Sequence, residues 1–299
     1  MRLPVLKGAL CAALLCAAVL CTLLPGCAGK SPQAVEKYSE AYLAAFDAEA
    51  VNDRKMTYTI YSRDGVGQFV LVTGVINDLH NVYEIPDAIE GVPVTGIGEY
   101  AFSYAPVAEL TLPDSLEYIA PGAFYDCPAL AEVNLPASVT TIGDYAFYHC
   151  ASLTSVTIPA SVQYIGGMAF SETPWYDALD ADFTIVGDGV LLKACGAGAQ
   201  TVPDGVKMLS SAFCGNTALT EAILPEGLVT IGPAAFMDCT ALRSVSIPST
   251  VRTIGSSAFR GCTALTGLVV PDSVESAGVM AFEGVGGTVS LPRHLKKSS

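Results

Sequence analysis

The chain has 299 residues, 51% of them apolar and only 15% charged, with a net charge of −14 at pH 7. That composition supplies a buried core and excludes a disordered chain. The acidic balance repels phosphate backbones, so nucleic acid is a poor partner; the plainer alternative is that the acid keeps an apolar protein soluble.

In chain order, Arg2 and Lys7 precede an apolar run from Gly8 to Leu24. A short positive region followed by such a run is an export signal. The run falls short of the roughly 20 residues that a membrane-spanning helix needs. It closes on Leu24-Pro25-Gly26-Cys27, which resembles the lipobox of bacterial lipoproteins: an aliphatic residue, a free position, a small residue and Cys. The resemblance implies a signal peptide over 1–26 and lipidation of the Cys27 thiol. The mature chain would then be anchored to the bacterial membrane by lipid, at the cell surface, with a net charge near −16. Pro25 is an unusual occupant of its position, and an uncleaved membrane anchor is the rival reading. Residues 27–55 read as a tether, part helical, because Val35, Tyr38, Tyr42 and Phe46 recur at helical spacing.

Beyond the tether one period governs the chain. Ala-Phe pairs stand at 101–102, 123–124, 146–147, 169–170, 212–213, 235–236, 258–259 and 281–282, with gaps of 22 or 23 residues and a single gap of 43. Four positions before Ala come Ile97, Ile119, Ile142, Ile165, Met208, Ile231, Ile254 and then Ala277. Gly follows at 98, 143, 166, 232, 255 and 278, where it is expected to permit a bend. Cys stands three residues after Phe at 127, 150, 239 and 262, Leu six after at 130, 153, 219, 242 and 265, and Pro punctuates each unit from Pro113 to Pro271. A period in this range, rich in Leu, Ile and Val, predicts a solenoid. One coil cannot close a core alone, so stacked coils must bury each other's faces. Within the coil from Phe147, the alternation of Leu153, Val156 and Ile158 inward with Ser155 and Thr157 outward predicts a short strand, ended by Pro159.

This pattern resembles the BspA-like leucine-rich repeat family of bacterial surface proteins. The likeness is carried by Ile142-Gly143-Asp144-Tyr145-Ala146-Phe147, Cys150, Leu153, Val156, Ile158-Pro159, Ser161-Val162 and Ile165-Gly166, and it recurs from about residue 83 to 292. The resemblance implies a β-rich leucine-rich-repeat solenoid of 22–23-residue repeats with an N-terminal strand-rich cap. Tyr58 to Pro86 resembles the cap, so the cap is placed over 56–94 and the solenoid over 95–292. Pro174-Trp175-Tyr176 and Val186 to Leu191 resemble an insert, at about 171–206, which would account for the long gap. Residues 293–299 read as a frayed tail. Departures from the pattern are Ser210, Ala277 and Gly287.

The exported cysteines at the repeat position read as free buried thiols, because side chains projecting in parallel from neighbouring coils make poor disulfide geometry. No pattern of a nucleophile with its base, a phosphate loop or a zinc site is present, and no cofactor or metal is expected. Asp182 and Asp188 are candidates for a cation, with Asp188-Gly189 read more simply as a hairpin turn. The implied role is a non-enzymatic, adhesin-like binding protein facing a protein or glycan partner at the cell surface; the alternative is a structural scaffold of the envelope. Two features are candidates for the binding face. One is the outward strand ladder of Glu109, Thr111, Glu132, Asn134, Ser155 and Thr157. The other is a set of tyrosines flanking the Ala-Phe pairs, above all Tyr125, Tyr145 and Tyr148, with Tyr100 and Tyr104. The competing reading of the tyrosines is as half-buried rings that cover turns.

Overall fold

In the computed structural model, residues 43–44, 46–53, 55–65, 67–76 and 81–297 are described. The signal region, Cys27, the helical pattern from Val35 to Tyr42, His80 and residues 298–299 lie outside them. Three antiparallel strands open the fold: β1 (Asp47–Asn52), β2 (Met56–Arg63) and β3 (Gly67–Val75). Next come β4 (Val82–Glu84), β5 (Ala88–Ile89) and β6 (Val92–Ile97), and β6 runs parallel to β3. From there each coil gives one short strand to each of two faces. The first coils contribute β7 (Glu109–Thr111) and β8 (Tyr118–Ile119), β9 (Glu132–Asn134) and β10 (Thr141–Ile142), then β11 (Ser155–Thr157) and β12 (Tyr164–Ile165). One face becomes a continuous sheet, β1-β2-β3-β6-β8-β10-β12. The other pairs β4 with β7 and β9 with β11.

Helix α1 (Pro174–Asp177), capped by the Thr173 hydroxyl, then replaces a strand, and the hairpin β13 (Phe183–Val186) and β14 (Val190–Ala194) follows. Stacking resumes through β15 (Gly198–Thr201), β16 (Met208–Leu209), β17 (Leu219–Ile223), β18 (Thr230–Ile231), β19 (Ser244–Ser246), β20 (Thr253–Ile254), β21 (Leu268–Val269), β22 (Ser276–Ala277) and β23 (Val289–Ser290). The fold is a β-solenoid, almost without helix.

The core explains the period. Phe102, Phe124, Phe147 and Phe170 are fully buried and stack at 5.0, 5.1 and 5.2 Å; Phe213, Phe236 and Phe259 repeat this at 5.0 and 5.2 Å. Those spacings are close to the distance between paired strands, so each ring rides on its own rung. The Phe column is interrupted once. Val190 and Leu191 pair with Met208 and Leu209, and the Ala194 N–H donates to the Ala212 carbonyl as Phe147 does to Ala169. Ala194 thus stands where Phe is expected, and the 43-residue gap contains two coils of 24 and 19 residues, with the hairpin inside the first. Trp175 closes the first stack edge-on against Phe170 at 5.1 Å.

Polar groups fasten the coils at fixed points. The thiols of Cys127, Cys150, Cys239 and Cys262 are free, buried, and donate to the carbonyls of Phe102, Phe124, Phe213 and Phe236 at 2.9–3.2 Å. The carbonyls of Pro113, Pro136, Pro159, Pro225, Pro248 and Pro271 each accept from the residue three later, as Pro136 does from Val139, which turns the chain from one face to the other. Within those turns Ser138, Ser161 and Thr250 donate to carbonyls of the preceding coil at 2.6–2.7 Å.

Three expectations change. Repeat glycines such as Gly143 and Gly255 do not have positive φ; a Cβ on either would run into the Pro121 or Pro233 nitrogen of the coil beneath. Close approach of coils, not a bend, selects Gly there. The stretch read as tether already belongs to the cap by its end, because Asp47–Asn52 pairs with β2 and Phe46 is buried against Phe69 at 5.3 Å. The tail is docked rather than frayed: Leu295 is buried in the core of the last coils and His294 Nε2 lies 2.6 Å from the Val274 carbonyl.

Candidate functional site

Each coil reverses direction around its Ala-Phe pair, and the reversal uses two residues of positive φ, except at the 212–213 pair, where only the one after it is of this kind. Before the pair stand Tyr100, Gly122, Tyr145, Met168, Ala234, Ser257 and Met280; after it stand Tyr104, Asp126, His149, Glu172, Gly215, Asp238, Gly261 and Gly284. This left-handed conformation costs a non-glycine residue about 1 kcal/mol. It is held because it aims each N–H at the next coil. Tyr100 donates to Pro121 and Tyr145 to Gly167, while Tyr104 donates to Tyr125 and Asp126 to Tyr148, at 2.8–3.2 Å. Side chains at these positions, and at the one just after Phe, project outward in columns.

In the first half of the stack those columns are aromatic. Tyr125 and Tyr148 stack at 5.3 Å with planes 20° apart. Tyr104 meets Tyr125 at 5.6 Å, Tyr145 meets Tyr148 at 5.6 Å, and Tyr100 meets Tyr125 at 6.4 Å. Tyr100, Tyr104 and Tyr145 are 45%, 62% and 40% exposed, so the five rings form one open surface. Gly122 makes room for it, since a Cβ there would strike the Tyr100 ring. Carboxylates sit at its margin: Tyr148 donates to Glu172 at 2.5 Å, and His149 Nδ1 lies 3.1 Å from Asp126 Oδ1. Burial pushes the hydroxyls of Tyr100, Tyr125, Tyr145 and Tyr148 above the ordinary phenol value, and neighbouring carboxylates push them further.

The two sequence candidates are not one site. Glu109, Thr111, Glu132, Asn134, Ser155 and Thr157 are all exposed, on the short-strand face, with Glu132 opposite Ser155 and Asn134 opposite Thr157. Asn134 Nδ2 donates to Glu132 Oε1 at 2.8 Å, within the ladder itself. Tyr118 and Tyr164 lie apart as well, on the continuous sheet. Residue-type reasoning picked out the tyrosines but missed Asp126, His149 and Glu172, which share the column two places after Phe; following that column along the sequence would have found them. Asp188 caps the hairpin turn and pairs with Lys207 Nζ at 2.6 Å. Among the described residues no group of side chains is arranged to hold a metal, and no helix is long and apolar enough to cross a membrane.

The repeat geometry agrees with what comparison of the sequence finds. The family model described as BspA type leucine rich repeat region matches residues 92–181 and 197–296 in six copies. The chain belongs to that family. The unmatched stretch between the two blocks contains the whole β13–β14 hairpin. This BspA-type chain is also similar to solved structures. The pneumococcal vaccine antigen PcpA is 21% identical over 81% of this chain and 82% of its own, with a TM-score of 0.41. A leucine rich cell surface protein from Faecalibacterium prausnitzii is 21% identical over 83% and 90%, with a TM-score of 0.38. A leucine-rich repeat protein from Bacteroides capillosus is 31% identical over 44% of this chain and 95% of its own, with a TM-score of 0.38. No curated protein matches the sequence.

Proposed function

We propose that this is a non-enzymatic binding protein of the bacterial cell surface, held there by lipid on Cys27, which offers its tyrosine surface to a protein or glycan partner. One observation carries the reading: five tyrosines from three consecutive coils form a single exposed surface on a backbone fixed by inter-coil hydrogen bonds. Singly exposed rings are ordinary, whereas a contiguous patch rimmed by polar groups marks an interaction site. Tyrosine supplies contact area at low entropic cost because it has few torsions to immobilise. A catalytic role has little support. His149 is engaged with Asp126 among tyrosines, and the repeat thiols are sealed in the core, where burial pushes Cys262 up to about 12.

Replacing Tyr125, Tyr145 and Tyr148 together with Ser and measuring binding to host cells, matrix proteins and glycan arrays tests the reading. Binding should fall at least tenfold. Unchanged binding would exclude the tyrosine surface and move attention to the strand ladder, where Glu109→Lys with Glu132→Lys should then weaken binding and alter its salt dependence. The anchor has its own test: Cys27→Ala should move the protein from the membrane to the soluble fraction. A pull-down that recovers only envelope proteins would favour the scaffold role.

A further inference from the structure

The tyrosine surface lies in the part of the solenoid that carries no Lys or Arg of its own. From Asp64 to Leu192 the chain has 17 Asp and Glu and neither Lys nor Arg; from Lys193 onward eight Lys and Arg face seven acids. The equivalent columns in the second half carry Met237, Asp238, Arg260 and Glu283, with Arg260 and Glu283 paired at 3.0 Å. The aromatic surface and the unbalanced negative charge therefore coincide.

We propose that this surface docks a polypeptide segment bearing arginine or lysine; the inference rests on the binding reading above and names its partner's chemistry. Tyrosine ring faces are electron-rich and attract cations. At the margin of the stacked Tyr125–Tyr148 pair stand two carboxylates: Glu172 accepts from the Tyr148 hydroxyl, and Asp126 lies 3.1 Å from Nδ1 of His149, whose ring is 6.2 Å from that of Tyr148. A cation over the rings meets both attractions at once. Arginine suits the site better than lysine, because its planar group stacks on a ring and bonds carboxylate oxygens in the same plane. The surrounding charge speeds the approach of a basic segment, and repels phosphorylated or sulfated ligands. A neutral sugar would use the rings and gain nothing from the charge.

The test titrates the purified full-length chain with a fluorescent nona-arginine peptide, and in separate arms with nona-lysine, nona-glutamate and neutral oligosaccharides, at 50 and 200 mM salt. Nona-arginine should bind most tightly and weaken as salt rises. Tyr125→Ser with Tyr148→Ser, and Asp126→Asn with Glu172→Gln, should each lower its affinity at least tenfold. Tyr125→Phe with Tyr148→Phe keeps the rings and should stay within threefold, which separates lost stacking from lost folding. Glu109→Gln with Glu132→Gln should change affinity less than twofold. An equal loss in that strand-ladder variant would overturn the proposal in favour of diffuse attraction by the whole acidic half. Tighter binding of a neutral oligosaccharide would overturn it too. Should the serine variants lose cell binding yet keep nona-arginine binding, this inference fails while the broader reading stands.

Discussion

The two halves of the solenoid share one interior and have different exteriors. Rings stack at 5.0–5.2 Å in both, and a Cys thiol donates to a Phe carbonyl in both. Outside, every tyrosine of the solenoid falls before residue 177, and every one of its lysines and arginines falls from Lys193 onward. In a stack where each coil touches only its neighbours, inward positions are set by the rung beneath while outward ones are free to diverge. The boundary between the two exteriors coincides with the one break in the Phe column, at Ala194. Packing and outward chemistry are thus written in separate columns, and the solenoid's tyrosines are confined to the coils before the break.

The largest expected effect asks whether the two stacks are also separate in stability. Phe147→Ala and Phe236→Ala each remove a fully buried ring from the middle of a stack, and each should cost about 3–5 kcal/mol. If the break at Ala194 divides the molecule into two cooperative units, Phe147→Ala should speed amide hydrogen exchange over 118–165 more than over 208–254. Phe236→Ala should do the reverse. Equal acceleration of both halves by either variant would show that β14, whose Val190 and Leu192 pack with the first core and Leu191 with the second, joins them into one.

How far the sequence alone foretells this molecule depends on whether a feature repeats. Ile142, Phe147, Cys150 and Leu153 recur in phase, so their burial and the short strands between them are legible. The coil through Ala194 is not: a single Ala in place of Phe, with a hairpin inside the coil, hides its phase, and pairing of Leu191 with Leu209 reveals it. Gly143 is legible as a necessity but not for its reason, since the clash it avoids is with a residue 22 positions earlier. Tyr125 and Tyr148 can be nominated from residue type and spacing. Their carboxylate neighbours Asp126 and Glu172 share a legible column two places after Phe, but residue type alone does not mark them, because their contacts with His149 and Tyr148 form only through the stack.

A smaller effect turns on pH. Burial raises the Asp144 carboxyl to about 6 from 3.8, against the opposing hydrogen bond from the Gly167 N–H at 2.7 Å. The folded protein therefore holds a proton that the unfolded chain releases between about pH 4 and 6. The associated stability is fully present below pH 4 and is lost as pH rises through 6, by on the order of 2–3 kcal/mol. The second half has Pro233 and Ser256 at this position and no such titration. Asp144→Asn keeps an acceptor for Gly167 and should flatten the stability curve between pH 4 and 6 while raising stability at pH 7. Urea unfolding at pH 4.5, 5.5, 6.5 and 7.5 measures it, and an unaltered slope would assign the pH dependence to other carboxylates.

The smallest effect exchanges a feature of one half for its counterpart in the other. Ser257 stands at positive φ, in the place that Gly122 takes in the first half, and its N–H reaches the Val279 carbonyl at 2.9 Å. Ser257→Gly keeps that bond and relieves the strain, so thermal unfolding should show a gain of up to about 1 kcal/mol, less what the more flexible unfolded chain returns. Gly122→Ala makes the opposite exchange and should do more harm than strain alone explains, because the new methyl meets the Tyr100 ring. A loss beyond about 1–2 kcal/mol, together with weaker binding at the tyrosine surface, would show that the turn's backbone conformation and the placement of its rings are selected together. A loss confined to stability would place Tyr100 outside the part of the surface that matters for binding.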